Sequence, residues 1–66
     1  MNNLIIDAAG EEIFLELIVD KNVYTCRHEN SKINFEKLMI LINNFLKDNK
    51  SSLDDLDVIY VNRGPG

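Results

Sequence analysis

The sequence predicts an α/β domain in which one long helix covers one face of a mixed four-stranded sheet. Leu4, Ile5 and Ile6 are three large aliphatic residues in a row. Because successive side chains of a strand point to opposite faces, this first strand must be apolar on both faces, as in the middle of a sheet. Two further β-type segments follow, and residues 35–46 then place apolar side chains at helical spacing. A last apolar run completes the order β-β-β-α-β.

The first predicted strand, Asn3–Asp7, ends at a carboxylate that is followed by the small, turn-forming run Ala8-Ala9-Gly10. Asp7 is therefore expected at the carboxyl end of a strand, which is where open α/β sheets bind ligands.

The second and third predicted strands are Ile13–Val19 and Val23–His28. The intervening Asp20-Lys21-Asn22 has the residue types of a tight turn, so the third strand should return antiparallel to the second. Polar residues within the third strand favour a position at the edge of the sheet.

The helix is predicted over Asn34–Asp48, with Asn34 or Ser31 as its N-cap. Its apolar residues occupy an arc wider than the roughly 100° needed to cover one sheet face. They are Phe35, Leu38, Met39, Ile40, Leu41, Ile42, Phe45 and Leu46. Two interpretations stay open, namely a fully buried helix of a larger core and a helix that binds a partner.

The last predicted elements are a single capped turn at Ser52–Asp55 and a strand at Leu56–Val61 that is buried on both faces. A right-handed crossover through the helix places this strand parallel to the first, on its free side. The predicted spatial order of the strands is therefore third, second, first, fourth. Gly64-Pro65-Gly66 then leaves the sheet at the same edge as Asp7.

Length and charge limit the classes of function. The chain has 66 residues, which is one domain at most, and a formal net charge of -4. This charge argues against direct binding of DNA or RNA, which requires clustered Lys and Arg. The single Cys26 fits a reducing cytoplasm, and no apolar run approaches the roughly 20 residues of a membrane span. A soluble cytoplasmic protein is predicted.

The end of the chain carries a recognisable motif. An Asp-Leu-Asp at 55–57 precedes an aliphatic strand and Asn-Arg-Gly-Pro-Gly at 62–66. Together with the element order and Asp7, this resembles the bacterial TsaB (YeaZ) family, which belongs to the glycoprotease M22-like proteins and takes part in making threonylcarbamoyladenosine in tRNA. The resemblance implies a ribonuclease-H-like, actin-like ATPase half-domain, with residues 1–66 as a truncated N-terminal part.

The same resemblance implies the function. TsaB-type proteins resemble degenerate paralogues of the catalytic TsaD proteins, so the chain is expected to be a non-catalytic partner subunit supporting threonylcarbamoyl transfer to tRNA adenosine. The implied partners are a TsaD-like paralogue and a second copy of the chain, with Leu38, Met39, Ile42 and Leu46 at the interface. The alternative is a fragment of an actin-like ATPase or of a metal-dependent glycoprotease-type enzyme.

Candidate cofactor-binding residues follow from the resemblance to actin-like ATPases. Asp7 could orient a metal-bound phosphate and Gly64 and Gly66 could approach a nucleotide closely, although the favoured role of Asp7 is to cap the turn that follows it. The helix start lacks the His residues that bind metal in the catalytic branch. Cys26 and His28 alone do not make a zinc site. No catalytic residue, metal ligand or bound cofactor is therefore expected for this chain, and a nucleotide only in the complete family protein.

Apolar residues on both faces of the sheet predict self-association. Leu4, Ile6, Val58 and Tyr60 are expected on one face, and Ile5, Ile59 and Val61 on the other. One helix covers only one face, so the other is left to water or to a second copy. We expect a two-fold dimer, with the helix stripe around Met39, Ile40 and Leu46 as its contact.

Overall fold

A computed structural model describes residues 1–30 and 33–62 of the chain. Its elements are β1 (Asn2–Asp7), β2 (Glu12–Val19), β3 (Asn22–Glu29), α1 (Phe35–Asp48), a 3-10 turn (Leu53–Asp55) and β4 (Val58–Asn62). The four strands form one sheet in the order β3-β2-β1-β4. β1 is antiparallel to β2 and parallel to β4. The predicted fold class and strand order are confirmed.

The hydrophobic core lies between α1 and one face of the sheet. Eight apolar residues are buried, namely Leu4, Ile6, Ile13, Leu15, Leu17, Ile42, Phe45 and Leu46. The strand members alternate along β1 and β2, as expected for strands with one covered face. The members from α1 recur at intervals of one turn, so the helix lies with this stripe on the sheet.

The two ends of α1 are fixed by side-chain caps. Asn34 is the N-cap, and its Oδ1 accepts a hydrogen bond from the backbone N–H of Lys37 at 2.8 Å. The other predicted N-cap, Ser31, lies outside the described residues. At the far end the Asn49 side-chain amide donates to the Phe45 carbonyl at 2.8 Å. Both contacts satisfy backbone groups that a helix terminus leaves unpaired.

The predicted burial of the last strand on both faces is wrong for this chain. Ile59, Tyr60 and Val61 are 47%, 56% and 57% exposed. β4 is an edge strand, and the buried core residues come from β1, β2 and α1. The apolar side chains of β4 therefore remain exposed, because α1 packs mainly on β1 and β2 and leaves the edge strand largely uncovered.

The predicted distribution of residues over the two sheet faces is also wrong. Leu4 pairs with Ile59 and Ile6 pairs with Val61 across the parallel ladder, so these four residues share the face that α1 covers. Ile5 instead shares the opposite face with Tyr60. A shift of one residue in register exchanges the faces of a strand, and no residue pattern here sets the register of a parallel pair.

Candidate functional site

The candidate site lies at the carboxyl ends of β1 and β4, which meet at one edge of the sheet. Asp7 is paired with Asn62 in the parallel ladder. The backbone N–H of Ala8 donates to the Asn62 carbonyl at 2.8 Å, which holds the two strand exits together. The sequence prediction that both strands end at a common edge is therefore correct.

Asp7 makes a local contact at this edge. Its Oδ1 accepts a hydrogen bond from the backbone N–H of Ala9 at 3.1 Å. This is the geometry of an Asx turn, in which the carboxylate takes the place of a backbone carbonyl. The side chain lies on the sheet face opposite α1, because it alternates with the buried Ile6. Gly64 and Gly66, the other two candidate cofactor-binding residues, lie outside the described residues.

Asn30 closes this end of the sheet, although nothing in the residue pattern distinguishes it from its polar neighbours. Its side-chain amide donates to the carbonyls of Ala8 at 3.0 Å and Gly10 at 2.8 Å. Its backbone N–H donates to the Glu11 carbonyl at 2.9 Å. Asn30 therefore joins the loop after β1 to the end of β3, and it fixes the loop that carries the Asp7 turn.

Negative charge gathers at the neighbouring ends of β2 and β3. Glu11, Glu12 and Glu29 line a depression there together with Gly10 and Asn30. Carboxylates in this depression repel the phosphates of a nucleotide and do not assist their binding. Within residues 1–30 and 33–62, no three His, Cys, Asp or Glu side chains are grouped so that they could hold a metal ion.

Cys26 and His28 lie on the α1 side of β3, opposite Leu15 and Ile13 of β2. Burial raises the pKa of the Cys26 thiol above its ordinary value, and the negative charge of Asp48 raises it further. The thiol therefore stays protonated at neutral pH, whereas a nucleophilic cysteine requires the thiolate.

Two of the four residues predicted for a partner interface belong to the core. Ile42 and Leu46 are 3% and 1% exposed and face the sheet. A partner could reach them only if α1 separated from the sheet. Leu38 and Met39 are half-buried and remain partly accessible. The exposed apolar residues of α1 are Phe35 and Ile40, at 77% and 52%.

An apolar groove runs between the N-terminal half of α1 and the exposed part of β4. We call it the α1–β4 groove, and its volume is about 450 Å³. Phe35, Leu38 and Met39 line it from α1, and Ile59 and Val61 line it from β4. It exists because the sheet continues past the region that α1 covers.

No helix within the described residues is long and apolar enough to cross a membrane.

Solved structures with the same architecture are known, although neither a protein-family model nor a curated protein matches the sequence. The chain is similar to a structure titled YeaZ from Pseudomonas aeruginosa, with a TM-score of 0.83 and 20% sequence identity. It is equally similar to a structure titled as an uncharacterized protein with similarity to peptidase YeaZ from Pseudomonas aeruginosa, with the same TM-score and identity. Each match covers 98% of this chain and 30% of the other chain. The chain therefore has the fold of a part of YeaZ.

Proposed function

We propose that this chain is a non-catalytic partner subunit that supports threonylcarbamoyl transfer to tRNA adenosine by a TsaD-type protein. The observation that supports the proposal most is the structural likeness to YeaZ over 98% of the chain, at a TM-score of 0.83. The Asp-Leu-Asp, strand and Gly-Pro-Gly order at 55–66 agrees with it.

The accessible part of α1 is the proposed contact for the TsaD-type partner. Ile40 projects from the side of the helix away from the sheet and is 52% exposed. Leu38 and Met39 lie on the sheet side of α1, where they line the α1–β4 groove and are partly accessible. An apolar residue among exposed polar helix positions is suited to insert into a pocket of a partner, where buried side chains contribute most of the affinity.

A binding measurement tests this contact. The TsaD-type protein of the same organism is titrated with the wild-type chain and with the variants Ile40→Glu and Val23→Glu. Both side chains are apolar and exposed, at 52% and 57%, but Val23 lies on β3, away from the proposed contact. We expect at least tenfold weaker binding for Ile40→Glu, and little change for Val23→Glu. Absence of wild-type binding at about 100 µM, or an equal loss in both variants, would contradict the proposal.

A second candidate function is a nucleotide-binding fragment of an actin-like ATPase or glycoprotease-type enzyme. The observation that favours it is the meeting of Asp7 and Asn62 at the shared carboxyl edge of β1 and β4. The carboxylates at the neighbouring ends of β2 and β3 disfavour it. Calorimetric titration of the chain with magnesium-ATP is expected to give no binding heat, and a dissociation constant tighter than about 10 µM would favour this alternative.

A further inference from the structure

We draw no further inference here: the strongest candidate, the apolar α1–β4 groove between the N-terminal half of α1 and the edge strand β4, carries none because nothing in the structure shows what covers it, and the chain spans only 30% of the YeaZ chain that it matches.

Discussion

At the scale of single residues, the acidic run before β4 serves to attach that strand to β1. The Asp57 carboxylate accepts a hydrogen bond from the backbone N–H of Asn2 at 2.7 Å, and the Asp57 N–H donates to the Asn2 carbonyl at 2.8 Å. Asp55 accepts from the backbone N–H and the hydroxyl of Ser52, both at 3.1 Å. The turn predicted at Ser52–Asp55 is thus capped, and these two carboxylates have structural roles.

Replacement of Asp57 by Ala should lower the free energy of unfolding by about 1 kcal/mol, since it removes one hydrogen bond to an ionised acceptor at the start of β1. Asp54→Ala is the matched control, because Asp54 lies in the same acidic run without a corresponding bond among the described residues. Urea unfolding of both variants checks this. Equal stability of the two variants would contradict the assigned role of Asp57.

The environment of Cys26 gives a prediction on pH. The raised pKa has burial as its larger cause and the Asp48 charge as its smaller one. The rate of alkylation of Cys26 should therefore rise with pH at a midpoint above that of a free cysteine. Asp48→Asn removes the negative charge that disfavours the thiolate, so the midpoint should move down but stay above the free value. An upward movement would show that Asp48 acts in another way.

At the scale of elements, α1 is a core helix whose apolar stripe is wider than its contact with the sheet. The centre of the stripe packs on β1 and β2, and one margin borders the α1–β4 groove. Of the two interpretations drawn from the sequence, burial holds for the centre of the stripe, and partner binding stays a prediction. Most of the stripe serves the core, and only its margins and Ile40 remain for contacts.

Two matched substitutions on α1 separate these roles. Leu46→Ala should cost about 2–5 kcal/mol of stability, because Leu46 is 1% exposed and its loss leaves a cavity. Ile40→Ala should change stability by no more than about 0.5 kcal/mol, since its side chain is 52% exposed. Thermal unfolding of the two variants measures the difference. A comparable loss at both positions would contradict the orientation of the helix.

At the scale of the whole molecule, the sequence predicts the topology well and the surfaces poorly. The aliphatic run at Leu4–Ile6 requires a central strand, and the handedness of the crossover then determines where β4 lies, so the strand order could be predicted. Which residues of β4 face α1 depends on the register of a parallel pair, and their exposure depends on how far the helix extends. Asn30 was not predicted because its partners are backbone carbonyls of a distant loop.

A chain of 66 residues is expected to have a small free energy of unfolding, because it buries only about 60% of the surface that its unfolded state exposes. Apolar side chains on the sheet face opposite α1 add to its exposed surface. They include Phe14, whose ring lies 5.0 Å from the Arg27 guanidinium. Contacts with other chains should therefore stabilise this molecule by an amount that grows with the logarithm of the partner's concentration relative to its Kd.

The most direct test of the proposed function is a reconstituted tRNA modification reaction. The chain replaces the YeaZ-type component in a mixture that contains the TsaD-type protein, its other components and tRNA, and threonylcarbamoyladenosine is measured by mass spectrometry. The account predicts that the wild-type chain raises the product at least tenfold above the mixture without it, and that Ile40→Glu does not. Product that stays at the background level with saturating wild-type chain would contradict the account.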